Sequence, residues 1–337
     1  MEGKRMNVSL RVSNNWVPFS SGHRLVDERS RPLILAADQG YAMPLATALR
    51  SIVKSNPADW PLNFHVLCEG FSEVLRAKVA GSLPEGSATI SWIEVDLGGF
   101  DGIWRASHLS KMTFARLLIP QLFPESVSRV LYLDADLLMF GTLESLWEMD
   151  LGSAVVGAVI DSGIDHILKQ NGRGCENVPR VRNYFNAGVL LMELRRWREE
   201  NISEKVLNYL SQNPRSPFSD QDALNVACDG LWHSMDGGWN QQVQPSARGA
   251  HWYSDSNPSI LHFVTNAKPW DASVSHPDAA LYDRFRAATC FSRTRYDLVL
   301  DMLKGMWGGG RRAMAQSALL RTIWRWIKPN LRRLTSR

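Results

Sequence analysis

The sequence has few cysteines, no zinc-type cluster and no glycine-rich nucleotide loop, and each gap removes a class of function. Four cysteines occur, Cys68, Cys175, Cys228 and Cys290, with no C-x-x-C spacing among them. That excludes a disulfide framework or a thioredoxin-like motif, and it leaves reduced structural thiols of a cytosolic protein. No H-E-x-x-H or Cys/His cluster points to zinc. No G-x-G-x-x-G follows the first apolar run and no G-x-x-x-x-G-K-[ST] occurs. Neither a dinucleotide-binding Rossmann site nor a P-loop is therefore supported. No stretch of about 18 apolar residues could span a bilayer. Residues 1–31 lack an apolar core of signal-peptide length and read as a flexible polar extension, so the protein is expected in the cytoplasm.

What is present is ordinary globular composition with an uneven charge. The chain has 337 residues, 45% hydrophobic and 21% charged, with a net charge of +4. Residues 311–337 carry eight basic side chains and no acid, which leaves −4 on residues 1–310. The positive charge is a tail and not a body-wide patch, so no nucleic-acid partner is expected.

Short apolar runs alternate with stretches of helical period. "PLILAAD" (32–38), "FHVLCE" (64–69), "ATISWIEVD" (88–96) and "SRVLYLDAD" (128–136) read as strands. "MPLATALRSIVKSN" (43–56) and "SEVLRAKVAGSL" (72–83) read as amphipathic helices between them. Two further apolar runs, "SAVVGAVID" (153–161) and "YFNAGVLLMEL" (184–194), precede one helix over "RRWREENISEKVLNYLSQ". Such alternation predicts an α/β fold with a largely parallel sheet. Ligands of such sheets gather at the carboxyl ends of strands. Asp38, Asp134, Asp136 and Asn186 are the polar residues expected at that edge.

"YLDADLLMFG" sets Asp134 and Asp136 one residue apart at the end of an apolar run. Side chains alternate along extended backbone, so both carboxylates are expected on one face. Two anions on one face need a positive partner, and hard divalent cations such as Mn2+ and Mg2+ prefer carboxylate oxygens. Asp-x-Asp is also what a solvated strand end looks like, so the remaining motifs decide.

"LAADQGY", "HLSKMTFARLLIP", "RVLYLDADLLMFGTLESLWEMDL", "FNAGVLLMELRRWRE", "SDQDALN" and "HFVTNAKPW" occur in that order over roughly residues 33–290. Together they resemble glycosyltransferase family 8, above all its bacterial lipopolysaccharide galactosyl- and glucosyltransferases. The resemblance implies a GT-A fold over residues 32–300, with a single mixed, mostly parallel sheet flanked by helices, a UDP-hexose donor, Mn2+ (or Mg2+) and retention of anomeric configuration. It implies that Ala36 and Asp38 contact the nucleotide, that Asp134, Asp136 and His262 hold the metal, and that Lys268 meets the diphosphate. Thr113, Arg116, Asn186, Asp220 and Gln221 match positions around the donor sugar. For retention, Gln221 is placed behind the anomeric carbon. An amide is a poor nucleophile, which favours a front-face step over a covalent intermediate on Asp220. Two departures stand out: Thr265 replaces a glycine frequent in "HYxGxxKPW", and Gly40 supplies no side chain where an Asn is frequent.

Simpler roles exist for the same residues. Asp220 suits a helix N-cap, Asn186 beside Gly188 suits a strand irregularity, and His262 by itself suits a hydrogen-bonded strand position. A phosphohydrolase of the HAD type also places Asp-x-Asp after a strand, but Leu138 stands where a Thr or Val is usual and "HFVTNAKPW" goes unexplained. The motifs are also compatible with a non-catalytic sugar-nucleotide or glycolipid binding protein, and with a self-glucosylating role.

After "GGG" (308–310) the tail has helical character. Arg321, Arg325, Lys328 and Arg332 fall on one face, with Leu320, Ile323, Trp324 and Ile327 largely opposite. A basic amphipathic segment over 301–337 suits an anionic membrane surface, which would bring the enzyme to a lipid-linked glycan acceptor.

Overall fold

The computed structural model describes residues 31–57, 62–105, 110–164, 178–243, 258–294 and Asp297. Residues 1–30 of the extension expected over 1–31, Cys175 and the basic tail lie outside the described residues. In chain order the strands are β1 (Pro32–Asp38), β2 (Leu62–Glu69), β3 (Ala88–Glu94), β4 (Arg129–Asp134), β5 (Leu137–Met139), β6 (Val156–Ile160), β7 (Phe185–Glu193), β8 (Trp232–Ser234), β9 (Gln241–Gln242) and β10 (Ile260–His262).

Seven of them make one sheet in the order β3-β2-β1-β4-β7-β6-β8. Its pairings are parallel except the two made by β7, which runs antiparallel to β4 and β6. This is the largely parallel sheet that the alternation predicts, mixed as the GT-A resemblance implies. The inner strands are near-continuous apolar runs because both faces are covered. Alternation along β1 divides them: Ile34 and Ala36 pack with Phe114, Leu117 and Leu118 of the 3-10 helix Lys111–Leu118. Leu33, Leu35 and Ala37 pack on the opposite face with Leu45, Leu49 and Ile52 of the helix Ala42–Ser55.

Three features differ from the sequence expectation. The helix expected over 195–212 is two helices, Leu194–Glu199 and Ile202–Gln212, because Asn201 adopts φ 52° between them. Asn is among the few residues that take left-handed backbone at low cost. The strand expected over 128–136 ends at Asp134, and the chain bends at Ala135 and Asp136. It then enters a second sheet, of order β5-β10-β9, made of two- and three-residue strands too short to show a period.

Topology gathers polar residues at one edge. β1 and β4 are parallel with Ala36 opposite Asp134, so both strands bring their last residues, Asp38 and Asp134, to the same edge. β7 is antiparallel to β4 with Val189 opposite Leu133, so its first residues, including Asn186 and Gly188, start at the same edge. Cys68, Cys228 and Cys290 are free thiols. Burial pushes the first two up to about 12, as suits packing groups rather than nucleophiles. Among the described residues no helix is long and apolar enough to cross a membrane.

Candidate active site

The bend after β4 decides how the two aspartates meet. Asp136 is no longer in the strand, and its carbonyl accepts from the Phe263 amide at 3.0 Å as the chain crosses to the second sheet. The carboxylates therefore converge across a bend and not by alternation along extended backbone. Between them stands His262, the last residue of β10. Its Nε2 lies 3.2 Å from Asp136 Oδ1 and 3.6 Å from Asp134 Oδ2.

Each carboxylate has one oxygen committed elsewhere. Asp134 Oδ1 accepts from the Tyr132 hydroxyl at 2.7 Å and lies 3.2 Å from Arg116 Nη2. Asp136 Oδ2 accepts from Lys268 Nζ at 2.6 Å. The remaining oxygens face His262 Nε2, and the three residues offer ligand atoms within 4.8 Å of one another. Burial pushes the Asp136 carboxyl up, but Lys268 and His262 outweigh it and hold the group well below the usual carboxylate range.

The space at these atoms is reserved by a glycine. A Cβ on Gly188 would lie 2.1 Å from His262 Cε1 and 2.8 Å from Asp134 Oδ2. Two carboxylate oxygens and one imidazole nitrogen suit a divalent cation that accepts mixed O and N donors. The donor set fits such an ion, and Gly188 leaves room for the imidazole that completes it.

Beside the aspartates lies a buried cationic bridge. Arg116, from the 3-10 helix, stacks on the Tyr132 ring with its Cζ 4.7 Å from the ring centre, and donates to the Ala187 carbonyl. Its Nε lies 3.2 Å from Asp220 Oδ2, while Thr113 donates to Asp220 Oδ1 at 2.7 Å. Burial alone would lower the Arg116 pKa; Asp134, Tyr132 and Asp220 outweigh it, so the guanidinium stays charged. Burial raises Asp220 to about 6, with Arg116 and Thr113 pulling the other way.

Asp220 is not the N-cap of its helix. Ser219 precedes the helix Asp220–Ala227 with φ 53° and ψ −114°, a strained geometry for a residue with a side chain. That turn aims both Asp220 and Gln221 into the cleft. The Gln221 carbonyl oxygen accepts from the Ala187 amide at 3.0 Å, and its Nε2 donates to Asp161 Oδ2 at 3.1 Å. Asn186 donates to the same Asp161 oxygen at 3.0 Å.

All eleven residues singled out in the sequence line one cleft of about 910 Å3: Ala36, Asp38, Thr113, Arg116, Asp134, Asp136, Asn186, Asp220, Gln221, His262 and Lys268. Asp38 also closes its own turn, accepting from Ser110 Oγ and, at 3.2 Å, from the Tyr41 amide. A Cβ at Gly40 would sit 3.1 Å from Asp38 Oδ1, so a side chain there would crowd the carboxylate. Thr265 lines the cleft, with its hydroxyl engaged by the backbone of Ala267.

Sequence reasoning passed over Tyr132, Asp161 and Asn240. Tyr132 reads as an apolar strand residue, and Asp161 as the polar end of an apolar run. Asn240 follows a Gly-Gly-Trp turn with nothing nearby to mark it. Asp161 and Asn240 gain their roles from partners far away in sequence, Asn240 from Asn186 and His262, and Tyr132 gains its own from Asp134 two residues on.

Comparison with known proteins fits this geometry. Residues 32–273 match the model of "Glycosyl transferase family 8". The chain is 29% identical over 271 residues to General stress protein A of Bacillus subtilis, covering 76% of this chain and 93% of that protein. It is 23% identical over 246 residues to the lipopolysaccharide 1,3-galactosyltransferase of Salmonella typhimurium, covering 71% of this chain and 73% of that one. With the glycosyltransferase GlyF of Streptococcus pneumoniae it shares 26% identity, covering 72% of this chain but 57% of that longer protein. Among solved structures it is similar to the galactosyltransferase LgtC in complex with donor and acceptor sugar analogs. That match has TM-score 0.66 and 29% identity, covering 79% of this chain and 98% of that one. The chain thus belongs to glycosyl transferase family 8 and is a glycosyltransferase of the GT-A fold.

Proposed function

We propose that the protein moves a hexose, galactose or glucose, from its UDP derivative to a glycan or lipid-linked glycan such as lipopolysaccharide core, with retention and with Mn2+ (or Mg2+) as cofactor. The observation that carries this is the convergence of Asp134, Asp136 and His262, with ligand atoms within 4.8 Å of one another, flanked by Lys268 and Arg116. When bound there, a divalent cation supplies positive charge to a diphosphate leaving group.

Lys268 is a cation at the wall of the site. Its ammonium rests on Asp136 and the Phe263 carbonyl. Transferred to a phosphate oxygen, it would stabilise charge that grows as the sugar–phosphate bond breaks. Ala36 and Asp38 at the end of β1 take the nucleotide end. Thr113, Arg116 and Asn186 belong to the sugar end.

Gln221 and Asp220 divide the remaining work. The Gln221 amide is held at both ends, by Ala187 and Asp161, which suits a fixed dipole beside an oxocarbenium-like centre. Asp220 has one oxygen on Thr113 and the other at Arg116, an arrangement that orients hydroxyls better than it frees a nucleophile. Both features favour the front-face step, in which the leaving phosphate takes the acceptor's proton. A second LgtC structure, 28% identical to this chain, is that of an active-site Gln-to-Glu mutant. The likeness supports a working role for a glutamine here.

Residues 32–300 form the catalytic unit in this proposal, with 1–31 as an extension. The basic segment 301–337 would hold the enzyme at the cytoplasmic membrane surface, where a lipid-linked acceptor is met. The test is UDP release from a panel of UDP-sugars, with Mn2+ and with EDTA. Release from one hexose donor, abolished by EDTA and in Asp136→Ala, is expected. A panel with no turnover and no UDP binding would overturn the proposal.

A further inference from the structure

A histidine can offer a lone pair to a cation from Nε2 only if its remaining proton sits on Nδ1. What the Nδ1 side faces is therefore decisive. In His262 that side faces Asn240 Oδ1 at 2.9 Å. Asn240 is buried, and its Nδ2 lies 2.9 Å from Asn186 Oδ1. Asn186 Oδ1 also takes the Gly188 amide at 3.0 Å, while Asn186 Nδ2 donates to Asp161 Oδ2.

The polarity of this chain of groups follows from its fixed end. The Gly188 backbone N–H can only donate, so the Asn186 atom it meets is the carbonyl oxygen. That oxygen can only accept, so the Asn240 atom it meets is the amide nitrogen. The other Asn240 atom is then oxygen, and His262 Nδ1 must carry the proton. Reversing Asn186 would set N–H against N–H at Gly188 and oxygen against a carboxylate at Asp161, and reversing Asn240 would set its oxygen against the Asn186 oxygen.

We propose that Asn240 is a positioning residue that fixes His262 in its Nδ1–H tautomer, so that the Nε2 lone pair is turned to the cation site. This rests on the assignment of Asp134, Asp136 and His262 as cation ligands. Gly188 acts twice: its amide sets the polarity of the relay, and its missing Cβ leaves room for the imidazole. The same relay ends on Asp161, which also holds Gln221, so the cation ligand and the residue beside the sugar share one hydrogen-bonded support.

Two readouts test this on the full chain. The first is the long-range proton–nitrogen NMR spectrum of histidine-labelled protein loaded with diamagnetic Zn2+. The signal of His262, one of eight histidines, is assigned by its loss in His262→Gln. A protonated Nδ1 is expected, and a protonated Nε2 would overturn the proposal without any Asn240 variant having to fold. The second is calorimetric titration with Mn2+ alone. Asn240→Leu should weaken binding by about 10- to 100-fold. Asn240→Asp keeps an acceptor for Nδ1–H and should restore affinity to within a few-fold, although it loses the donor to Asn186. An Asn240→Leu protein that binds Mn2+ as wild type, while His262→Gln does not, overturns the role of Asn240 alone. If His262→Gln also binds as wild type, the cation assignment itself falls.

Discussion

The chemistry of the cleft depends on single atoms that have been left free. Asp134 and Asp136 each give one oxygen to a neighbour and keep one for the site, and the missing Cβ of Gly188 leaves room for the His262 imidazole. Gly188→Ala is therefore expected to damage the site more than its size suggests, because backbone on one side and the buried imidazole on the other have little freedom to yield. Mn2+ affinity measured by calorimetry should fall by at least about 10- to 100-fold, with secondary structure retained. Wild-type affinity in Gly188→Ala would show that the imidazole can move aside. Tyr132 works at the same scale. Burial raises the pKa of its hydroxyl well above the usual range, so it stays protonated and donates to Asp134.

At the scale of elements, the turn at Ser219 carries the most strain with the clearest purpose. It holds a residue with a side chain at φ 53° and ψ −114°, and its buried hydroxyl has no hydrogen-bond partner. Glycine adopts such backbone readily, so Ser219→Gly should raise stability in urea by about 1–3 kcal/mol. A loss of stability instead would mean that the serine makes a contact worth more than the strain it carries.

Elements were legible in the sequence wherever burial was on both sides or amphipathic. β1, β2, β3 and β7 were visible as apolar runs, and the helix Ala42–Ser55 as a periodic one. The break at Asn201 was hidden because the charged, helix-favouring residues on both sides continue the pattern. The second sheet was hidden because its strands are two or three residues long, yet it is what brings His262 to the aspartates. Asp134 and Asp136 announced themselves by spacing. His262 and Lys268 were found only through motif resemblance, and Asn240 through neither, since its partners are 54 and 22 positions away.

The whole molecule should show two opposed proton linkages. His65 of β2, buried with its ring edge-on to Phe123 at 5.1 Å, is lowered by burial from 6.5 to about 4. Between those values the unfolded chain binds a proton that the folded protein refuses. Stability present at neutral pH is thus lost as pH falls from about 6.5 to about 4. Asp220 has the opposite sign. Raised from 3.8 to about 6, it keeps its proton in the fold when the unfolded chain has released it. Its contribution is present in acid and is lost as pH rises through about 6. In urea unfolding between pH 4 and pH 7, His65→Phe should flatten the acid-side loss and Asp220→Asn should steepen it. Unchanged slopes in both would show that neither group titrates across the folding transition as its burial implies.

The measurement that bears most directly on the function is calorimetric titration of UDP into the full-length protein, with Mn2+ and with EDTA, for wild type and Asp136→Asn. Wild type should bind UDP tightly only with Mn2+, and Asp136→Asn should lose that dependence along with most of the affinity. UDP binding of equal strength in EDTA, or undiminished Mn2+-dependent binding in Asp136→Asn, would contradict a cation held by Asp134, Asp136 and His262 against a sugar diphosphate.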